Sequence, residues 1–411
     1  MFAIAIDLGT TTLAASLIDC ATAGRRAITG SLNPQRTFGA DVISRLGVAV
    51  SSAELRQEMT VMIREELRRI CEELCHAAGV ARGEVQRVAI AGNPAMQHIL
   101  LGLELRSLAF PPYRPLFTTG THLKAADFGW DGAAEIYVFP MPGGFVGGDT
   151  VAFIYGAEPA AATLCLDIGT NGEIALESGD LIWATSAAAG PAFEGGNLSC
   201  GMAALPGAIS SVQIEGDRLR IQVIGNGKPR GICGSAAIEA VTELLQCNIL
   251  EAGGRLPSAT EIDSNLAARV IEFQGAQAFV LYRDAESLIL LTQDDIRQIQ
   301  LAKAALRAGI DVLAERSGIQ PDALKQVILT GSFGAVLSAE WLKTIGVFGE
   351  SMVQTTLFSP EGALAGAEKA LARKDGFREV ELLAERFRVV PLSGTPLFET
   401  LFMQHIDFPR R

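Results

Sequence analysis

Short apolar runs that stop at a polar turn recur along this chain, between segments whose apolar residues recur at helical spacing. Residues 3–6 form an apolar run that ends at Asp7, and residues 13–18 form a second run, which predicts a β-hairpin. Residues 163–176 repeat this pattern around Asp167. The sequence therefore predicts two similar hairpins, one near the start of the chain and one near its middle.

Longer periodic segments predict helices. Residues 40–78 have apolar positions at near-helical spacing among charges, which predicts a surface-packed helix. Thr292 and Asp295 form a capping-box-like start for a second long helix that ends near Arg316. Residues 251–276 look like an insertion of loop and short helix. Further strands are predicted at residues 85–91, 137–139, 181–185, 327–330 and 387–390, and a hairpin is predicted at 213–224 around Gly216 and Asp217. Further helices are predicted at residues 94–101, from an opening at 231–234 to about 246, at about 338–345, 361–372 and 376–385, and at 396–405.

This alternation of strands and helices, without an unbroken βαβ series, predicts a mixed-sheet α/β fold that is used twice. The length of 411 residues supports two domains. We place the first lobe at residues 1–158 and the second at 159–411, with the C-terminal helix as an element that can return to the first lobe.

Composition restricts the classes of protein to which the chain can belong. Apolar residues make up 49% and charged residues 19%, as in ordinary globular proteins. The net charge of −12 argues against nucleic acid or an anionic membrane as partner. The start lacks the basic region of a signal peptide and no apolar run is long enough to span a bilayer, so we expect a cytoplasmic protein. Seven scattered cysteines without a CxxC pair fit reduced, structural thiols.

The turn of the first hairpin carries candidate chemistry. Gly9, Thr10, Thr11 and Thr12 follow Asp7, and a tight turn here offers backbone N–H groups and threonine hydroxyls to an anion. A carboxylate beside a phosphate is repulsive unless a divalent cation lies between them, which favours Asp7 as a Mg²⁺ partner acting through water. The sequence therefore predicts a phosphate loop with a magnesium-binding carboxylate.

The second hairpin repeats this chemistry. Asp167 precedes Gly169, Thr170, Asn171 and Gly172. A single Asp-x-Gly-Thr sequence also occurs in plain turns. Because two copies occupy matching hairpins, we interpret both as phosphate loops, with Asp167 as a second carboxylate for magnesium and the nucleotide in a cleft between the lobes.

A glycine-flanked segment follows the strand predicted at residues 327–330. Its residues are Gly331, Ser332, Phe333 and Gly334, and the glycines can admit the flat base and the ribose of a nucleotide. The alternative is a tight strand-to-helix turn without a ligand.

Two further carboxylates are candidates for catalysis. Asp149 lies upstream of the second loop and can orient the attacking water or hydroxyl, or can only cap the helix that runs to Tyr155. Glu173 can join the metal shell, or can be an exposed strand residue. Residues 187–201 are rich in small side chains, which is typical of a segment lining a cleft or of a packing loop.

The order and spacing of these loops resemble those of the acetate and sugar kinase, heat-shock 70 and actin superfamily. The corresponding segments are phosphate 1 at residues 7–12, connect 1 at 91–98, phosphate 2 at 167–173, the adenosine loop at 327–334 and connect 2 at 362–370. Longer motifs resemble those of the ATP-dependent reductive activators of corrinoid proteins: Leu-Asn-Pro-Gln at residues 32–35, Gly-Ala-Asp-Val-Ile-Ser-Arg at 39–45, the segment 187–201, Gly-Ile-Cys-Gly-Ser at 231–235 and Gln-Leu-Ala-Lys-Ala at 300–304.

This resemblance implies two ribonuclease-H-like lobes that bind ATP and Mg²⁺. It also implies an ATPase that helps to return an inactivated Co(II) corrinoid protein of a methyltransferase system to Co(I). ATP would bias the partner complex or the cobalt ligation, while the electron would come from a donor. Segment 187–201 would then be a sensor or a contact for the partner.

One sequence feature departs from the resembled family, whose members commonly carry an amino-terminal ferredoxin-like domain with a two-iron cluster. No C-x₄-C-x₂-C run occurs here. We therefore expect no iron–sulfur cluster in this chain and a separate electron donor of ferredoxin or flavodoxin type, and we leave a homodimer open. The alternative functions are a sugar or acid kinase and a nucleotide-dependent binding protein without a redox role. A radical-forming dehydratase activator is disfavoured because no cysteine pair suits a bridging cluster.

Overall fold

The computed structural model describes residues 1–39, 41–331 and 336–410. Within these residues the strands are β1 (Phe2–Leu8), β2 (Thr12–Asp19), β3 (Gly24–Leu32), β4 (Val85–Gly92), β5 (Thr121–Lys124), β6 (Glu135–Val138), β7 (Thr163–Ile168), β8 (Gly172–Glu177), β9 (Ile182–Ala187), β10 (Ala208–Glu215), β11 (Arg218–Val223), β12 (Gly231–Ile232), β13 (Val270–Phe273), β14 (Ala276–Arg283), β15 (Leu288–Thr292), β16 (Gln326–Thr330), β17 (Thr356–Phe358) and β18 (Phe387–Val389).

The α-helices of the same residues are α1 (Val42–Ser51), α2 (Ala53–Ala78), α3 (Pro94–Leu101), α4 (Arg106–Ala109), α5 (Gly148–Ala157), α6 (Gly234–Gln246), α7 (Gln293–Ser317), α8 (Ala339–Thr344), α9 (Glu350–Gln354), α10 (Gly362–Ala372), α11 (Gly376–Ala384) and α12 (Pro396–Gln404).

Two six-stranded sheets carry the architecture. Their strand orders are β3-β2-β1-β4-β6-β5 and β17-β16-β7-β8-β9-β18. β1 pairs antiparallel with β2 and parallel with β4, and β16 lies parallel between β7 and β17. Each strand that leads into a predicted phosphate loop, β1 or β7, therefore has its hairpin partner on one side and a parallel strand on the other. Two smaller sheets have the orders β11-β10-β12 and β13-β14-β15.

Residue contacts divide the chain into two compact units. The first contains Met1–Ala161, Glu177–Thr185 and Ser359–Val390, and the second contains Ala162–Leu176, Ser186–Phe358 and Pro391–Arg411. In the first unit, β1 and β4 carry mostly buried residues and form the centre of the core. Parallel strands buried in this way place their carboxyl ends at one edge of the sheet, which is where α/β proteins bind ligands.

Helices α5 and α10 of the first unit pack closely because both contain glycine at their crossing. A Cβ added to Gly366 would lie 1.7 Å from the carbonyl oxygen of Ala152, and one added to Gly156 would lie 3.0 Å from the Cα of Gly366. Larger side chains at these positions would force the helices apart, since the interior is already close-packed. The crossing therefore fixes the position of α5, the helix that carries Asp149.

In the second unit, α7 holds the C-terminal segment. Gln300 and Lys303 are fully buried. Gln300 Nε2 donates to the carbonyl oxygen of Ile406 at 3.0 Å, and Lys303 Nζ donates to that of Asp407 and lies 5.4 Å from the ring centroid of Phe408. Burial lowers the pKa of Lys303 to about 8. The Gln-Leu-Ala-Lys-Ala motif at residues 300–304 thus has a structural role in anchoring the chain end.

Two predicted elements differ from the structure. Residues 40–78 do not form one helix, because Ser52 ends α1 and caps α2 by accepting a hydrogen bond from the backbone N–H of Leu55 at 3.2 Å. The predicted insertion at 251–276 is also not only loop and short helix, because residues 270–273 form β13, which pairs antiparallel with β14. The predicted capping box of Thr292 and Asp295 is confirmed at the start of α7.

Candidate functional site

The first predicted phosphate loop is the tight turn between β1 and β2. Asp7 lies on β1 opposite Ala14 of β2, one residue before the end of the strand. A Cβ added to Gly9 would lie 2.4 Å from the carbonyl oxygen of Thr12, so only glycine fits this turn without a shift of the backbone. The structure therefore places Asp7 and the glycine turn together at the carboxyl end of a central strand.

Two asparagines hold this loop from the protein side. Fully buried Asn33 donates from Nδ2 to the carbonyl oxygen of Gly9, and its backbone N–H donates to that of Thr11, both at 2.9 Å. Asn93 Nδ2 donates to the hydroxyl oxygen of Thr10 at 2.9 Å. Because that hydroxyl accepts from Asn93, its own proton is available to another acceptor. The loop is preorganised by residues that sequence analysis did not assign to the site.

The segment that carries Asn93 lies beside β1. β1 and β4 pair in parallel, and a Cβ added to Gly92 would lie 2.8 Å from the carbonyl oxygen of Leu8. Asn93 then caps α3 by accepting from the backbone N–H of Met96 at 3.0 Å. One asparagine thus uses its oxygen as a helix cap and its amide nitrogen as a support for the phosphate loop.

Asp149 is half-buried in the first turn of α5, but it is not the cap. The N-cap residue is Gly147, and a Cβ added at this position would lie 2.5 Å from the carbonyl oxygen of Gly92. The carboxylate of Asp149 accepts from the backbone N–H of Thr150 at 2.7 Å. Burial raises the pKa of Asp149 to about 6, and the hydrogen bonds from Thr150 offset part of that effect. A carboxylate with such a pKa can accept a proton near neutral pH.

The second predicted phosphate loop connects β7 and β8. The backbone N–H of Gly169 donates to the carbonyl oxygen of Asn171 at 2.9 Å, which closes a tight turn. Thr170 Oγ1 donates to Glu194 Oε2 at 2.9 Å. A Cβ added to Gly172 would lie 2.1 Å from a methyl carbon of Leu306, so α7 packs directly against the end of this loop.

Glu194 is a site residue that sequence analysis did not select. It ends a 3-10 helix, Pro191–Glu194, between Gly190 and Gly195, both of which adopt positive φ. Burial raises its pKa, and the hydrogen bond from Thr170 offsets part of that rise. The only sequence signal was its position in the glycine-rich segment 187–201, whose side chains are brought to the second loop by tertiary folding.

Asp167 lies on β7, and Gly331 directly follows the adjacent parallel strand β16. Asp167 is opposite Thr330 in the register of β7 and β16. Gly331 has φ +87°, and a Cβ added to it would lie 2.3 Å from Asp167 Oδ1. The structure thus brings the start of the predicted adenosine loop to the carboxylate of the second phosphate loop.

The remaining predicted residues have two different outcomes. Glu173 lies on β8 and accepts a hydrogen bond from Ser186 Oγ at 3.2 Å. Ser332, Phe333 and Gly334 lie outside the described residues. The contribution of that part of the loop to nucleotide binding therefore stays a prediction.

Each predicted phosphate loop has one carboxylate, Asp7 or Asp167, that is a candidate for binding a magnesium ion. Among residues 1–39, 41–331 and 336–410, no group of three or more His, Cys, Asp or Glu side chains could hold a metal ion. Mg²⁺ usually keeps several waters and binds one or two carboxylates together with substrate phosphates. Asp7 on β1 and Asp167 on β7 each supply one carboxylate of that kind, beside a predicted phosphate loop.

None of the seven cysteines forms a disulfide within the part of the chain that the structure describes. Burial raises the pKa of Cys71 to about 12, which keeps that thiol protonated and unreactive. Among the helices that the structure describes, none combines the length and the apolar content needed to cross a membrane.

Named relatives match nearly the whole chain. The "Corrinoid activation enzyme RamQ" of Eubacterium limosum is 29% identical over 417 residues, covering 99% of this chain and 70% of the relative. The "[Co(II) methylated amine-specific corrinoid protein] reductase" of Methanosarcina barkeri is 27% identical over 386 residues, covering 84% of this chain and 65% of the relative. A solved structure, "Reductive activator for corrinoid,iron-sulfur protein", superimposes with a TM-score of 0.84 at 29% identity and covers 100% of this chain and 66% of that chain. This chain therefore spans about two thirds of the length of these proteins.

Family models divide the chain into two matched regions. The "RACo middle region" matches residues 2–159, and the "C-terminal domain of RACo the ASKHA domain" matches residues 161–411. Together with the structural superposition, these matches confirm the predicted mixed α/β fold class and the resemblance to corrinoid activators. The chain belongs to the RACo family of corrinoid activators.

Proposed function

We propose that this chain binds ATP with Mg²⁺ and uses it to assist the reduction of Co(II) to Co(I) in a corrinoid protein of a methyltransferase system. The observation that carries the proposal is the pair of Asp-x-Gly-Thr loops, at the ends of β1 and β7, in a chain of the RACo family. The printed names of the relatives describe corrinoid activation and reduction of a Co(II) corrinoid protein. We assign this chain the same activity, in the cytoplasm.

In the first unit, residues 9–12 bind phosphate oxygens through the backbone and the threonine side chains. Asn33 and Asn93 support this assignment, since they hold the loop without consuming the hydroxyl proton of Thr10. Preorganised donors are more effective than donors that must reorient when the anion binds.

In the second unit, the loop of Gly169, Thr170, Asn171 and Gly172 plays a corresponding but not identical role. The hydroxyl proton of Thr170 is already donated to Glu194. Backbone N–H groups, rather than this hydroxyl, therefore provide the contacts of the second loop with phosphate. Gly331 begins the segment that accommodates the adenosine, together with Ser332, Phe333 and Gly334.

The carboxylates have three proposed roles. Asp7 and Asp167 bind Mg²⁺ through its water shell, and the ion neutralises charge on the phosphates. Asp149 orients the attacking water and accepts its proton, which its half-buried position and raised pKa support. Glu173 and Glu194 add negative charge near the second loop, which favours a cation there.

ATP serves in this scheme as a source of conformational bias. Conversion of Co(II) to Co(I) consumes one electron, which a separate donor of ferredoxin or flavodoxin type supplies. Nucleotide can shift the equilibrium only by binding two states of the complex with different affinity. The chain then favours the complex in which the cobalt is easier to reduce.

Phosphate release from ATP tests the proposal. We expect the release to rise when a cobalamin-loaded corrinoid protein is added, and to be lost in Asp167→Ala. A panel of sugars and carboxylic acids serves as the comparison. ATP-dependent phosphorylation of one of these molecules, without a response to any corrinoid protein, would contradict the proposal.

A further inference from the structure

Gln97 is a fully buried polar residue on α3, and both ends of its amide group are hydrogen-bonded. Nε2 donates to the carbonyl oxygen of Phe139 at 2.8 Å, and Oε1 accepts from the backbone N–H of Gly148 at 3.2 Å. Because one partner can only accept and the other can only donate, the orientation of the amide group is fixed. Gln97 therefore joins the residue that follows β6 to the first residue of α5.

The contact with Gly148 completes the start of α5. The first backbone N–H groups of a helix have no partner within the helix, and the N-cap residue Gly147 has no side chain that could supply one. Gln97 supplies an acceptor from the neighbouring helix α3. The fit is close, because a Cβ added to Gly148 would lie 2.6 Å from the Cβ of Phe139 and 3.0 Å from Gln97 Oε1. The first turn of α5, which carries Asp149, is therefore held against α3 and the end of β6.

The same helix, α3, also holds the first phosphate loop. Its N-cap residue Asn93 donates to the hydroxyl oxygen of Thr10 at 2.9 Å, and the backbone N–H of Gln97 donates to the carbonyl oxygen of Asn93 at 3.0 Å. Positions four apart lie on the same face of a helix, one turn from each other. All of these residues belong to the first unit. One helical turn of α3 thus connects the phosphate loop, through Asn93, to the start of α5, through Gln97.

We infer that Gln97 is a positioning residue for the proposed base, because it fixes the turn that carries Asp149 relative to the first phosphate loop. Gln97 is fully buried, so it acts through Asp149 and does not touch the substrate. A base must lie within hydrogen-bond reach of the proton that it accepts, and a displacement of about 1 Å can lower a rate by roughly 10²-fold. Since Asn93 holds the loop itself, loss of Gln97 should impair catalysis and spare nucleotide binding. This inference rests on the proposed function.

The test measures kcat for phosphate release by the full chain with the corrinoid protein that stimulates it, and calorimetric affinity for a non-hydrolysable ATP analogue. Gln97→Met removes both hydrogen bonds, and Gly148→Ala disturbs the same contact from the other side by adding a Cβ. In both variants kcat should fall by roughly 10- to 10²-fold, while the affinity stays within about twofold of the wild type. In an Asp149→Asn background, Gln97→Met should lower kcat by no more than about twofold, because the base through which it acts is already absent.

Thr60→Val is the matched control. Thr60 is also buried and donates from Oγ1 to the carbonyl oxygen of Ile99 at 2.8 Å, near the other end of α3. The change to valine therefore removes a buried hydrogen bond to the same helix without touching the start of α5. This variant should unfold at a lower temperature than the wild type and keep the wild-type kcat and affinity.

The outcomes separate the inference from the proposed function. An unchanged kcat in Gln97→Met, or equal losses of kcat and affinity, would leave Gln97 with a structural role only. An undiminished effect of Gln97→Met in the Asp149→Asn background would show that Gln97 does not act through Asp149. Each of these results overturns the inference and leaves the proposed function intact, and Gly148→Ala decides by the same criteria if Gln97→Met does not fold. Phosphate release by the wild type that no corrinoid protein stimulates would contradict the proposed function and the inference with it.

Discussion

Replacing Asp149 with asparagine removes a charge from a half-buried position and changes the shape of the side chain very little. Burial raises the pKa of Asp149 from 3.8 to about 6. A difference of this size corresponds to on the order of 3 kcal/mol between the two protonation states. Because the carboxylate is partly exposed, solvent screening makes that value an upper limit.

The pH dependence of the effect follows from the direction of the shift. In the native state Asp149 keeps its proton up to about pH 6, whereas in the unfolded chain it loses the proton near pH 4. Its contribution to the free energy of unfolding is therefore present below about pH 4 and lost as the pH rises through about 6. Asp149→Asn shows no such loss. Its stability relative to the wild type should rise by up to about 3 kcal/mol between pH 4 and pH 7.

Urea unfolding of both proteins from about pH 4 to 8 measures this difference, with the exposed Asp131→Asn as the control for removal of a charge. In Asp149→Asn, phosphate release should also fall by roughly 10²- to 10⁴-fold, because the proposed base is gone. Wild-type turnover should rise with pH through about 6. A stability difference that does not change with pH would refute the burial argument, and unchanged turnover would refute the catalytic role.

Three further variants test the loops. Gly9→Ala places a Cβ 2.4 Å from the carbonyl oxygen of Thr12, so calorimetry should show ATP affinity reduced by roughly tenfold or more, and wild-type affinity would contradict the assigned phosphate contact. Asn33→Ala removes a hydrogen bond to the loop worth about 1 kcal/mol, and we expect a several-fold rise in KM for ATP; an unchanged KM would argue against the supporting role. Glu194→Gln keeps an oxygen for Thr170 but removes the charge, so phosphate release should require more Mg²⁺, and an identical Mg²⁺ titration would remove Glu194 from the site.

The hairpins and their loops were predictable because the signal is local. An apolar run, an Asp, a Gly and a Thr repeat in β1–β2 and in β7–β8, and both turns lie where the pattern places them. The repetition, rather than either copy alone, supported a nucleotide-binding interpretation. The capping box at the start of α7 was predictable for the same reason, since both partners lie within one helical turn.

The supports of the loops could not be predicted, because they come from distant parts of the chain. Asn33 lies 24 positions after Gly9 in the sequence, and Glu194 lies 24 positions after Thr170. A motif shows that such residues belong to a family pattern, but not which atom each one contacts. Only the tertiary structure shows that Asn33 donates a hydrogen bond to the first loop and that Glu194 accepts one from the Thr170 hydroxyl of the second loop.

Two secondary-structure differences have simple local causes. One serine, Ser52, interrupts an otherwise continuous apolar periodicity, and its capping hydrogen bond ends one helix and begins the next. β13 has only four residues, and it turns into β14 through Gln274 and Gly275, both at positive φ. Glutamine is an unusual residue in such a turn, so the usual Asn-Gly signal of a hairpin is missing.

The central claim is that ATP assists this chain in returning a corrinoid protein from Co(II) to Co(I). The most direct measurement is the Co(I) absorbance of a cobalamin-loaded corrinoid protein mixed with this chain and a reduced ferredoxin- or flavodoxin-type donor, with and without Mg²⁺ and ATP. We predict that Co(I) accumulates with the wild-type chain only when ATP is present, and that Asp167→Ala abolishes the effect. Failure to form Co(I) in an ATP-dependent manner with every donor would contradict the claim.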